Sequence, residues 1–266
     1  MTDHTLPVVL CIGGQDPSGG AGIQADIESI AANGGHAAAV ITCLTVQDSC
    51  DVTALYPVSP KLLAAQFEAV CNDCEVAAIK IGLIGDVSLA KTLAGLLQRH
   101  PGIPLVLDPV LASGAGSELA SGELLQIIHD QLLPLTTLIT PNSLEARRLC
   151  PTDAPLSDCA KRLLNTGARA VLITGTHEHS RKVTNRLYDS SGLLDEAHWQ
   201  RLPGEYHGSG CTLASAISAG LAQGLPLIEA VRCGQDYTWQ TLNQGFRTGR
   251  CQALPDRLFT LKRGHT

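Results

Sequence analysis

With 266 residues, 44% hydrophobic and 17% charged, the chain has the composition of a globular protein that can bury a sizeable core, which excludes a disordered one. Its net charge of −6 gives no basic footprint for nucleic acid, and Arg181, Lys182 and Arg186 are too scattered to make one. No charged segment leads into a long apolar one at the N-terminus and no apolar run reaches the roughly 18 residues that cross a bilayer, so a cytoplasmic protein without a membrane partner is expected.

Six apolar runs follow one another: PVVLCIG (7–13), AAVITCLTV (38–46), VAAIKIGLI (76–84), IPLVLDPV (103–110), TTLITPN (136–142) and RAVLITG (169–175). Continuous rather than alternating in polarity, they read as buried parallel strands. Between them lie segments of helical period, such as GIQADIESIAANG, where Ile23, Ile27 and Ile30 recur at helical spacing, and SLAKTLAGLLQRH. Alternating strand and helix predicts an α/β fold, a mostly parallel sheet with helices on both faces.

After Gly175 the pattern changes: KVTNRLYDSSG and HWQRLPGEYHG predict an antiparallel hairpin or edge strands, and two helices follow at 211–223 and about 226–245. No repeat or linker divides the chain, so residues 1–266 are expected to form one domain. The segment LASGAGSELASG, 111–122, has few bulky anchors and is expected to form a mobile flap over a site. The ten cysteines, spread from Cys11 to Cys251, read as small buried hydrophobes and not as a disulfide framework. Cys71 and Cys74 form the only C-x-x-C, and helix-end packing explains them better than metal or redox chemistry.

In an open α/β sheet the ligand lies outside the carboxyl ends of the strands. Those ends are polar or glycine-rich six times in succession: GGQDPSGGAG, TVQDS, GLIGD, DPVLASGAG, TPNSLEA and TGTHEHS, which favours one composite active site. HGSGCT, 207–212, opens a helix whose free N–H groups suit a phosphate oxygen, although an ordinary Gly/Ser turn has the same composition. It is not a Walker A sequence, and GGAGIQ lacks the dinucleotide spacing. Asn142 and Glu145 fit a capping box, and Glu145 equally fits a holder of hydrated magnesium; both can hold at once. Asp108 leaves a carboxylate at the same rim, with a turn residue before Pro109 as its plain alternative. Gln47 offers the donors and acceptor that suit an aminopyrimidine edge, and Asp26 lies one turn into a helix that starts toward the site.

Taken together, GGQDPSGGAGIQAD, ITCLTVQDS, AAIKIGLIG, LDPV, TPNSLEA and HGSGCTLASAI resemble the hydroxymethylpyrimidine/phosphomethylpyrimidine kinases of thiamine biosynthesis, in the ribokinase-like superfamily, over about residues 8–245. The resemblance implies a three-layer α/β/α sandwich, a homodimer, and phosphate transfer from ATP with Mg2+ to a pyrimidine alcohol and then to its monophosphate. It implies that Gln47, Gly13 and Asp26 bind the pyrimidine, and that Asp108 and Glu145 hold the metal. Asn142, Thr174 and Ser209 fall in the ATP and phosphate region. Gly208, Gly210 and Cys211 match the anion hole and base, and a helix N-terminus would lower the Cys211 pKa toward a usable thiolate; packing is the alternative for that thiol.

Many relatives carry lysine where this chain has Thr174, which removes a cation from the phosphate region. His177 and His179 nearby read as loop residues. A pyridoxal kinase of the same fold is the alternative enzyme, disfavoured by Gln47, and a non-catalytic pyrimidine sensor is the alternative outside catalysis.

Overall fold

The computed structural model describes residues 5–114, 116–150 and 154–262. Its centre is a nine-stranded sheet in the order β3-β2-β1-β4-β5-β6-β7-β8-β9. The strands are β1 (Val8–Gln15), β2 (His36–Gln47), β3 (Val52–Pro57), β4 (Val76–Ile81), β5 (Leu105–Leu107), β6 (Leu138–Ile139), β7 (Ala170–Ile173), β8 (Lys182–Asp189) and β9 (Gly192–Gln200). The six strands anticipated from apolar runs, β1, β2 and β4 to β7, are parallel to their neighbours among them.

The three remaining strands are antiparallel. The hairpin β8–β9 falls where the pattern changes, but its second arm starts at Gly192, earlier than the HWQ segment suggested. β3 has no apolar run to announce it: it is a half-exposed edge strand, folded back on β2 by a turn in which Asp48 Oδ1 accepts the Cys50 N–H at 2.7 Å and the Asp51 N–H at 3.2 Å.

Alternate residues of each parallel strand feed two different cores, as a period of two requires. Leu10, Ile12, Ile79, Ile81, Leu107 and Ile139 pack under α2 (Pro60–Asp73), α3 (Val87–Gln98), α4 (Gly122–Ile127), α5 (Ser143–Leu149) and α6 (Leu156–Asn165). On the other face Val9, Cys11 and Ala78 meet α1 (Gly22–Ala32), while Val106, Leu138 and Leu172 meet α7 (Ser209–Ala222) and α8 (Leu227–Asn243). A short α9 (Phe259–Lys262) closes the described chain. The result is the anticipated α/β/α arrangement. Among the described residues no helix is long and apolar enough to cross a membrane.

Two sequence expectations change. Cys50 and Cys251 form a disulfide across 201 residues of sequence, so the reading of the cysteines as unbridged fails for this pair. Their encounter depends on the C-terminal segment crossing the sheet edge, which spacing cannot reveal. Cys71 and Cys74 are free and half-buried at the end of α2, in keeping with packing. Segment 111–122, of which Ala115 lies outside the described residues, is better anchored than its composition suggests. Asp51 accepts the hydroxyls of Ser113 at 2.7 Å and Ser117 at 2.6 Å, and Arg148 holds the Leu111 and Ala120 carbonyls and the Glu118 carboxylate.

Candidate active site

The strand order reverses between β1 and β4, where the chain leaves β1 toward β2 on one side and reaches β4 on the other. Open sheets of this kind bind ligands at the carboxyl ends of the strands at such a switch point, and the glycine turn after β1 lies there. That turn is built on Asp16, only 3% exposed, whose carboxylate accepts the Ser18 and Ala21 N–H groups at 2.8 Å and meets His207 Nε2 at 2.9 Å. Burial opposes ionisation of Asp16, but the bonds from His207, Ser18 and Ala21 outweigh it and hold the carboxyl below its ordinary range.

Gln47 ends β2 and stands half-buried with its amide 3.1 Å from the same His207 Nε2. An ionised Asp16 only accepts, so His207 Nε2 carries the proton that bonds it. His207 thus joins the proposed pyrimidine end to the HGSGCT turn.

Beneath Gly13 lies Asp26, fully buried at the α1 position where the sequence suggested a substrate contact. Its oxygens are taken by Lys80 Nζ at 2.8 and 3.0 Å and by the Ser215 hydroxyl at 2.7 Å. Asp26 therefore meets the floor of the site and not its open space. Burial disfavours the Lys80 charge, yet Asp26, and with it Cys211 and Asp108, hold its pKa above the ordinary lysine value. Lys80 was not singled out from the sequence. The available signal was a lone charge inside the apolar run VAAIKIGLI.

Gly208 caps α7 in the left-handed region at φ 83°, and a side chain there would overlap the Gly20 carbonyl oxygen. Only glycine meets both demands. Ser209 and Gly210 follow in the first turn, where N–H groups lack helical acceptors. A Cβ on Gly210 would lie 3.5 Å from Asp108 Oδ1, so the carboxylate faces this turn. Asp108 is 4% exposed and its Oδ2 has no hydrogen-bond partner. Burial raises its pKa to about 6 against the pull of Lys80.

Cys211 points into the same space, and here the sequence expectation is overturned. Burial raises the thiol to about 12, with Lys80 only partly countering it and Asp108 and Asp26 adding to the rise. The helix start does not make a thiolate, because a desolvated anion beside two carboxylates costs more than the helix end returns. With its pKa raised this far, Cys211 is a thiol at neutral pH.

On the other side of the rim Asn142 caps α5 by accepting the Leu144 and Glu145 N–H groups, both at 2.9 Å, and Glu145 Oε2 accepts the Asn142 N–H at 2.9 Å. The capping box is complete. Yet burial, and then Asp108, raise Glu145 to about 8. Two neighbouring carboxyls with raised pKa values and one unpartnered buried oxygen form a hard, all-oxygen donor set, which fits magnesium held by one or two carboxylates. Thr174 bridges to Asn142 through the backbone, its carbonyl accepting the Ser143 N–H at 3.0 Å. The loop beyond it is held by Arg201, which donates to the carbonyls of Thr176, Glu178 and Ser180. His177 and His179 in that loop are exposed, as loop residues would be. With Thr174 uncharged, the cation that acts on Cys211 and Asp108 is Lys80, from β4.

A family model described as phosphomethylpyrimidine kinase matches residues 16–255. The chain belongs to the phosphomethylpyrimidine kinase family. It is 38% identical over 264 residues to a hydroxymethylpyrimidine/phosphomethylpyrimidine kinase of Mycobacterium bovis, covering 97% of this chain and 96% of that one. Among solved structures, a phosphomethylpyrimidine kinase from Clostridium difficile superposes with a TM-score of 0.78 at 29% identity, over 90% of this chain and all of that one. A pyridoxal kinase of Bacillus subtilis in complex with ADP superposes with a TM-score of 0.87 at 26% identity, over 95% of this chain and 98% of that one. The fold of this kinase family is thus shared with pyridoxal kinases.

Proposed function

We propose that the chain transfers the γ-phosphoryl group of ATP to the hydroxymethyl oxygen of 4-amino-5-hydroxymethyl-2-methylpyrimidine, and then phosphorylates the monophosphate, in thiamine biosynthesis. The observation that carries this reading is 38% identity, over nearly the whole chain, to a kinase named for both steps. The ADP complex of a structural neighbour supports ATP as the donor.

In this reading Gln47 and Gly13 face the pyrimidine, with Asp26 and Lys80 forming the floor beneath them. Gly208, Ser209 and Gly210 offer backbone N–H groups to the transferring oxygens, where charge develops as the bond to the leaving group weakens. Asn142 and Thr174 shape the nucleotide side. Asp108 and Glu145 would hold magnesium, which supplies charge neutralisation on the phosphates when bound.

Because Cys211 is a thiol, it serves the alcohol as a relay: the hydroxyl proton reaches its sulfur as its own proton passes to Asp108, in step with attack.

We further propose that residues 1–266 act as one kinase domain and that the protein is a cytoplasmic homodimer, as suits an enzyme that consumes ATP. Leu44, Val46 and Tyr56, exposed by 52%, 51% and 61% on the β2–β3 edge beside Gln47, supply an apolar face for the second copy. A second reading, phosphorylation of pyridoxal, is favoured by the backbone likeness to pyridoxal kinase. ADP release measured with the pyrimidine alcohol and with its monophosphate, each supplied alone, tests the proposal: both should be turned over, and failure of either removes that step.

A further inference from the structure

Arg257 lies in the segment after β9, α7 and α8, far from every sequence motif, and is 3% exposed. Its backbone is fastened to α8: the Tyr237 hydroxyl donates to the Arg257 carbonyl at 2.8 Å, and the neighbouring Asp256 N–H donates to the Thr241 carbonyl at 2.9 Å. From there its guanidinium reaches three separate elements. Nη1 and Nη2 donate to the carbonyls of Gly19 and Gly20, in the turn after β1. Nη1 also meets Glu28 Oε2, on α1, at 3.1 Å. Nε donates to Thr212 Oγ1, in the first turn of α7, at 2.9 Å.

The last of these contacts leads to the phosphate-binding turn. The Thr212 hydroxyl, while accepting from Arg257, donates to the Gly208 carbonyl at 2.8 Å. That carbonyl belongs to the peptide unit whose N–H is that of Ser209, one of the groups assigned above to the transferring phosphate. A chain of donors thus runs from guanidinium to hydroxyl to carbonyl, and it fixes and polarises the peptide at its far end. Arg257 is also close to this turn directly, since a Cβ on Gly208 would lie 2.8 Å from Nη2. A lysine could supply the charge but not the planar fork that reaches two carbonyls, a carboxylate and a hydroxyl at once.

We propose that Arg257 is a positioning residue for phosphoryl transfer, acting through Thr212 to set the Gly208–Ser209 peptide and clamping the two glycine turns of the site together. The proposal rests on the assignment of the Gly208 turn to the transferring phosphate. It calls for a loss in kcat and not in pyrimidine binding, because the peptide it sets meets charge that grows only in the transition state.

The test compares Arg257→Lys, Thr212→Val, their double variant and Thr212→Ser with the parent protein, all as full chains whose folding is checked by circular dichroism. Arg257→Lys and Thr212→Val should each lower kcat by about 10-fold or more with the pyrimidine KM within about twofold, and the double variant should be no worse than about the poorer single one, since both cut the same chain. Thr212→Ser keeps the hydroxyl and should keep kcat. Calorimetry with ADP and magnesium, with and without aluminium fluoride, adds a reading that needs no acceptor alcohol. The parent should gain affinity with fluoride, and the two single variants should lose that gain while binding ADP as before.

Wild-type kcat in a folded Thr212→Val or Arg257→Lys protein, a loss confined to the pyrimidine KM, or full additivity in the double variant overturns the proposal. If Arg257→Lys does not fold, Thr212→Val decides alone by the same readings. A parent protein that phosphorylates a different alcohol defeats the proposed substrate, while the fluoride measurement still decides the role of Arg257.

Discussion

Lys80 Nζ lies 2.8 Å from Asp26 Oδ1 at a point where the two side chains are 1% and 0% exposed. A buried pair of this kind contributes little net stability over an apolar pair, but removing one partner strands the other charge. Lys80→Met should therefore cost about 3–5 kcal/mol in denaturant unfolding, and adding Asp26→Asn should recover much of it. Activity should not recover with stability, because the cation that acts on Cys211 and Asp108 is gone in both proteins. A double variant with wild-type kcat would reduce Lys80 to a structural residue.

Gln47→Ala should weaken pyrimidine binding by about 1–3 kcal/mol and leave ATP affinity unchanged. The relevant geometry is its amide on His207, which must be released toward a ligand without disturbing the nucleotide side. Equal calorimetric affinity for the pyrimidine in parent and variant would remove Gln47 from the site.

Magnesium should bind with release of protons. Glu145 and Asp108 carry raised values of about 8 and about 6, and a cation between them favours their ionised forms. At pH 7 Glu145 is mostly protonated in the free protein, so binding should expel about one proton, coupled between the two carboxyls. Calorimetry of magnesium with ADP in buffers of different ionisation enthalpy measures it, after subtraction of the proton exchange of ADP itself. Glu145→Gln should abolish most of the release, and an unchanged release would leave Glu145 with its capping role alone.

The parallel strands and the rim they present were legible because buried strands announce themselves as continuous apolar runs and because their ends carried unusual polar residues. What escaped depends on pairs distant in sequence. Lys80 and Asp26 are 54 residues apart and Asp16 and His207 are 191 apart, so neither partner reveals the other. The direction of the Cys211 pKa escaped for a different reason: its position at a helix start is visible, but the burial that raises its pKa is a property of the packed site. Segment 111–122 looked unanchored because its anchors, Asp51 and Arg148, lie outside it.

The Cys50–Cys251 bridge closes most of the chain into one loop and ties the turn after Gln47 to the segment that leads to Arg257. Chain entropy sets its contribution at about 5 kcal/mol as an upper figure for so long a loop. Cys50→Ser with Cys251→Ser should lower Tm, and a dithiol reductant should lower the Tm of the parent but not of the double variant. A reductant effect of equal size on both would show that the bridge contributes nothing to stability.

The central claim, that this site is built for the pyrimidine alcohol, is tested most directly by kcat/KM for 4-amino-5-hydroxymethyl-2-methylpyrimidine and for pyridoxal, measured side by side with saturating ATP and magnesium. A site whose buried polar groups match one acceptor should leave them unpaired with the other, and the pyrimidine should be preferred by about 10²-fold or more. Equal values, or a preference for pyridoxal, would contradict it.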